Sequence, residues 1–190
     1  MSLVLLLLRA SKEYSYGSRS YVPVEKIIKK STVLRIISPY IDPYYAEFLI
    51  RHAKGKRIRI ISSSISKSAK AKLKRRSFSK FVAFVAFLLV LNMFLAHGQP
   101  ALAFISLICS LIYLLVYLED YETKKGILLK VPRRFVHAKV YIGDYAAVEG
   151  SANLTFMGMH KNIEQTRFIQ NSEEVAILKN EFDKLWHRLG

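Results

Sequence analysis

His137, Lys139, Asp144, Gly150, Ser151 and Asn153 fall within one short stretch that reads HAKVYIGDYAAVEGSAN. These residue types suit chemistry on a phosphate ester. The oxygens of a phosphodiester monoanion repel a nucleophile, so cationic groups must gather around them before attack becomes feasible. Lys139 can neutralise a non-bridging oxygen as a point charge. Ser151, Asn153 and the N–H groups of the turn from Gly150 can hydrogen-bond the others, and the small residues of that turn allow an anion to approach the backbone closely. One imidazole can attack phosphorus while a second protonates the leaving oxygen. Glu164 can hold the attacking imidazole in one tautomer, as the acid does in a catalytic triad. No His, Asp, Glu or Cys cluster has metal-ligand spacing, so no metal and no cofactor are expected.

Such groups need a rigid frame. A strand over Phe135–Ile142 would put His137 and Lys139 on one face and send Val136, Ala138, Val140 and Ile142 into an apolar layer. Gly143 would end it. Upstream, Val33–Ser38 and Arg57–Ser62 are β-branched runs that read as strands. Tyr44–Lys54 has helical apolar spacing with Gly55 as its C-cap, so strand, helix and strand form a βαβ unit with a parallel pair. Val24–Lys30 reads as a further short helix, and Leu3–Leu8 as a buried strand or short helix rather than a targeting segment. Downstream, Gly126–Val131 and Ala146–Val148 are strand candidates. Ser172–Leu189 is an amphipathic helix capped by Ser172, with Val175, Leu178, Phe182, Leu185, Trp186 and Leu189 on one face. Neither stretch has enough strands alone, so the two are expected to build one α/β domain of a mixed sheet with flanking helices.

The stretches are separated by Phe81–Leu118, 38 residues without one Asp, Glu, Lys or Arg. His97-Gly98-Gln99-Pro100 divides this run into Phe81–Ala96 and Ala101–Leu118, each just long enough to cross a bilayer as a helix. The expected organisation is therefore 1–77, first part of the α/β domain; 78–118, a two-helix transmembrane hairpin; and 119–190, second part. The chain has 190 residues, 52% of them hydrophobic, and a formal charge of +16. Its apolar content excludes disorder, and its single cysteine, Cys109, excludes a disulfide scaffold. Twelve Lys and Arg with no acid lie between Arg51 and Lys80. By the positive-inside rule they keep that side cytoplasmic, and two crossings return the chain there, so both soluble parts and both termini are expected in the cytoplasm. The same basic run has two readings, a topology signal touching anionic lipid and a surface for nucleic-acid phosphates.

His-x-Lys-x4-Asp followed by Gly-Ser-x-Asn resembles the HKD motif of the phospholipase D superfamily. Asn162 and Glu164 match the Asn-x-Glu that commonly follows it, and Ile37–Asp42 resembles the first βα unit of such domains. Five residues stand between Asp144 and Gly150, where six are usual. The resemblance implies a phospholipase D-like sandwich and a metal-independent phosphodiesterase acting through a covalent phosphohistidine. It assigns His137 as nucleophile and Asp144 and Gly150 to the structure of the motif. The motif occurs once, and small single-motif members form homodimers with one shared site on the twofold axis. The resemblance to that branch favours an endonuclease, with Lys54, Lys56, Arg57, Arg59, Arg133 and Arg134 as the phosphate track. The alternatives are a phospholipid hydrolase or transphosphatidylase, and a catalytically inactive membrane scaffold that binds phosphate. The expected partners are a second copy, nucleic acid and anionic membrane lipids.

Overall fold

The computed structural model describes residues 14–73, 78–98 and 100–189. Leu3–Leu8 lies outside them. The chain divides into two compact units, Met1–Leu73 with Gly126–Gly190, and Lys74–Lys125.

In the first unit the two stretches on either side of the apolar run share one seven-stranded sheet, ordered β1-β9-β8-β7-β2-β4-β6. Strands β2 (Val33–Ile37), β4 (Arg57–Ile61) and β6 (Ile127–Lys130) are parallel, with Ile36 opposite Ile60 and Ile60 opposite Leu129. Strands β7 (Val140–Ile142), β8 (Ala147–Gly150), β9 (Glu164–Ile169) and β1 (Tyr14–Gly17) continue antiparallel from the other side of β2. A small parallel pair, β3 (Tyr40–Ile41) and β5 (Ser64–Ile65), lies beyond β2 and β4. Helices α1 (Tyr21–Lys30), α2 (Pro43–Arg51), α3 (Lys67–Leu73) and α6 (Phe156–His160) cover one face, and α7 (Ser172–Arg188) the other.

Alternation along the strands sorts the core. Leu34, Ile36, Ile58, Ile60, Tyr141 and Val148 face α1 and α2, while Ile37, Ile61, Ile142 and Ile169 face Val175, Phe182 and Trp186 of α7. Leu34, Ile36, Ile58 and Ile60 are fully buried, each contributing about 2 kcal/mol. Asp42 starts α2 by accepting from Tyr45 N at 2.9 Å, and Pro43 is preset for the first turn. That helix stops at Arg51. Gly55, at φ +73°, serves the turn into β4 rather than a helix cap. Asn171, not Ser172, caps α7, accepting from Glu174 N at 3.0 Å.

The strand expected over Phe135–Ile142 begins only at Val140. Pro39 turns the chain away just after β2, so residues 135–139 have no ladder partner on that side. Val136, Val140 and Ile142 join the layer under α7 as expected, but Ala138 is exposed.

The second unit consists of α4 (Phe78–Gly98) and α5 (Pro100–Lys124). They pack on each other through Phe81 stacked on Tyr117, ring centres 3.7 Å apart, and Phe84 on Tyr113 at 4.6 Å. Ala101–Leu118 of α5 is long and apolar enough to cross a membrane and is only 6% buried. In α4 the apolar segment among the described residues is Phe84–Met93, shorter than a span. The expectation of two spanning helices is thus met, by length and composition, for one of them. The polar side chains inside the pair bond back to their own helices, Asn92 to Leu88 O at 2.8 Å and Ser110 to Ser106 O at 2.7 Å.

Candidate active site

The carboxyl ends of β2, β4 and β8 lie at one edge of the sheet, where ligands bind in open α/β sheets. His137 and Lys139 reach this edge on the segment that enters β7. Two contacts fix that segment. The Ser63 hydroxyl, just past β4, accepts from Val136 N at 2.6 Å and donates to Val136 O at 3.0 Å. Gly150 N donates to Lys139 O at 3.2 Å.

The Lys139 ammonium lies on the His137 ring, 3.0 Å from Nε2 and 3.3 Å from Nδ1, and donates to His137 O at 2.9 Å. Lys139 is buried and His137 exposed, so the imidazole faces solvent over a sheltered cation. Burial pulls the Lys139 ammonium below the usual lysine range, and the Glu164 carboxylate opposes that shift.

Glu164, at the start of β9, is buried and accepts from the Ser151 hydroxyl and from Asn162 Nδ2, the latter at 3.2 Å. Its hydrogen bonds go to these groups rather than to His137, where a triad-like contact was expected. Ser151 Oγ also accepts from Gln165 N at 3.0 Å, so its hydroxyl is oriented from both sides. Gly150 permits this approach, since a Cβ there would sit 2.2 Å from Gln165 O. Asn153 Oδ1 is buried and has no hydrogen-bond partner, an acceptor left open beside Ser151. His137, Lys139, Ser151, Asn153 and Glu164 therefore gather at one edge.

Asp144 lies at the opposite edge. Its Oδ2 accepts from Thr32 N at 2.7 Å and Thr32 Oγ1 at 2.9 Å, and Oδ1 from Val33 N at 3.2 Å. Burial pushes this carboxyl up, but these donors, with Lys179 nearby, hold it below the usual carboxylate range. It ties the β7–β8 turn to the start of β2. Gly143 beside it has no room for a side chain, since a Cβ would lie 2.1 Å from Ser31 Oγ.

The fold divides the expected phosphate track. Arg133 and Arg134 are exposed and precede the His137 segment, following β6 at the same edge. Lys54 and Lys56 precede β4 and Arg57 is its first residue, at the opposite edge. Lys56 is committed there, donating to Ile28 O at 2.5 Å and Lys29 O at 2.7 Å. Arg59 points under α7, where Nη2 lies 2.7 Å from Asp183 Oδ1, Arg35 binds the same carboxylate at 3.0 Å, and the guanidinium rests 5.5 Å from the Phe182 ring centre. Alternation on a strand does not reveal these partners, because Asp183 lies far away in sequence. His52-x-Lys54 repeats the first spacing of the motif but has Arg59 where the acid would stand, and His52 Nδ1 donates to Phe48 O at 2.9 Å. His160 ends α6 stacked on Tyr21 at 4.3 Å, with Nε2 3.0 Å from Tyr45 OH. Sequence reading missed Ser63; the run of three serines after β4, Ser62-Ser63-Ser64, was its only signal.

A family described as cardiolipin synthase, PLD-like domain, matches residues 109–186. No curated protein matches the chain in sequence. Among solved structures, the phospholipase D family member Nuc from Salmonella typhimurium is 16% identical with a TM-score of 0.56, covering 92% of each chain. NucT from Helicobacter pylori is 13% identical with a TM-score of 0.53, covering 92% of this chain and 95% of that one. A phosphatidylserine synthase from Haemophilus influenzae is 8% identical with a TM-score of 0.50, covering 90% of this chain and 36% of the other. The chain thus matches a PLD-like family over residues 109–186 and shares the fold of Nuc and NucT.

Proposed function

We propose that the chain is a membrane-anchored, metal-independent endonuclease whose active site is completed by a second copy of itself. The observation that carries this reading is the pairing of an exposed His137 imidazole with the sheltered Lys139 ammonium beside the Ser151–Glu164 pair. One chain carries one such set, while the chemistry needs a nucleophile and an acid. His137 attacks phosphorus, forming a P–N bond as the P–O bond to the leaving group breaks. The partner subunit's His137 gives that oxygen its proton. Water then attacks the phosphohistidine and gives a proton to the partner subunit's His137 as the P–N bond breaks. Lys139, Ser151 and Asn153 bind the non-bridging oxygens, and Glu164 keeps Lys139 charged and Ser151 aimed. Arg133 and Arg134 supply the adjoining phosphate contacts. Ala101–Leu118, with the preceding helix, anchors the chain, and the Arg51–Lys80 cations keep the α/β unit on the cytoplasmic side.

A second reading, hydrolysis or transfer of a phosphatidyl group, draws on the apolar α5, which would bring the site to lipid. The test is the intact protein in detergent with EDTA, offered labelled single- and double-stranded DNA, RNA and phosphatidylglycerol, beside His137→Ala. Nucleic-acid cleavage and a denaturation-stable phosphoryl label on the protein, both lost in the variant, are expected. Turnover of lipid alone would overturn the nuclease reading. Full activity in a strictly monomeric preparation would overturn the shared site.

A further inference from the structure

Beside His137 two aromatic side chains stand open to solvent. Phe135 is 57% exposed and Tyr40 45% exposed, although rings of this size ordinarily find cover. Their ring centres are 6.0 Å apart, and Phe135 lies 5.9 Å from the His137 ring at 30°. Tyr40, Phe135 and the nucleophile's imidazole thus form a row. The row is held in place: Ser63 grips Val136 at both its N–H and its carbonyl, and the Val136 side chain plugs into the layer under α7. With Val136 turned inward, Phe135 and His137 on either side are turned outward. Arg133 and Arg134 precede Phe135, so two cations and then a ring lead toward the reacting group.

Resting on the nuclease reading, we propose that Phe135 and Tyr40 form a stacking platform that makes single-stranded nucleic acid the preferred substrate. Every base presents a π-face, and a strand that stacks its bases on exposed rings while its phosphates meet Arg and Lys binds without sequence preference. The scissile phosphate lies at His137 and the neighbouring bases rest on the ring row. In a duplex those faces are already stacked, so the same contact first requires bases to be pulled from the helix. A phosphatidyl headgroup has no planar face to offer.

The test compares kcat/KM of the intact protein on three probes: a single-stranded oligonucleotide, the same strand with abasic positions flanking the scissile phosphate, and the matching duplex. The single strand is expected to be cut faster than both others. Phe135→Ala and Tyr40→Ala should each shrink the advantage of the base-bearing over the abasic strand by about tenfold, chiefly through KM, and Phe135→Trp should keep it. An advantage unchanged in both alanine variants overturns the platform. So does equal cleavage of duplex and single strand, which leaves the nuclease reading intact. Turnover of lipid with no cleavage of any nucleic acid overturns the nuclease reading itself, and the platform with it.

Discussion

The two ends of β7 hold two carboxylate clusters of one motif, and they are built on opposite terms. At the Asp144 end both oxygens accept from Thr32 and Val33, and the carboxylate has a full set of neutral donors. At the Lys139 end a cation is buried against an imidazole, Glu164 binds a hydroxyl that faces solvent, and Asn153 Oδ1 has no partner. A cluster with every group satisfied fixes a turn. One with polar capacity left over can take a ligand. The spacing between Lys139 and Asp144 then has a plain meaning: three strand residues and Gly143 carry the chain across the sheet, from the edge that holds His137 to the edge that is pinned.

Removing the reactive end should have the largest effect. His137→Ala is expected to lower turnover by roughly four orders of magnitude or more, while stability by calorimetry stays within about 0.5 kcal/mol because the ring is exposed. A large loss of stability in this variant would break the division between the two ends.

Asp144→Ala should act the other way round. Three donors lose their acceptor, which costs about 2 kcal/mol in denaturant titration, while kcat per folded molecule is kept. The pH profile carries a sign. The folded carboxyl titrates below its unfolded value, so its stabilisation is present above about pH 3.9 and is lost as pH falls through the folded value. Asp144→Asn should remove that acid-side slope from the stability curve.

The smallest effects sharpen the reactive end. Lys139 must be protonated to meet a phosphate oxygen, and burial lowers its titration. The alkaline limb of kcat/KM is therefore expected below about pH 10.4, the ordinary lysine value, and Lys139→Arg should move it out of range. Glu164→Gln removes the charge that supports the ammonium and should shift the limb further down. An unmoved limb would separate Glu164 from Lys139.

The motif was legible because its residue types sit close in sequence and each is tied to one chemical task. So were the long elements: Val33–Ile37, Arg57–Ile61 and the α7 stripe of Val175, Phe182 and Trp186 declare their faces by period alone. Short elements were not. Tyr14–Gly17, Tyr40–Ile41 and Ser64–Ile65 owe their form to neighbours distant in the chain, and residues 135–139 look like strand until Pro39 removes the partner. The destinations of Lys56 and Arg59 were hidden for the same reason, since their acceptors lie on α1 and α7.

Strands β4 and β6 are neighbours in the sheet, yet the whole second unit lies between them in sequence. Among the described residues, neither core cluster draws a side chain from Lys74–Lys125. Closing a long loop costs only slightly more than closing a short one, so the sheet accommodates this excursion as readily as an ordinary crossover. The second unit is in that sense a detachable cartridge: a short flexible splice from Leu73 to Gly126 should leave an α/β unit that folds by itself, and another pair of helices could be exchanged into the same slot.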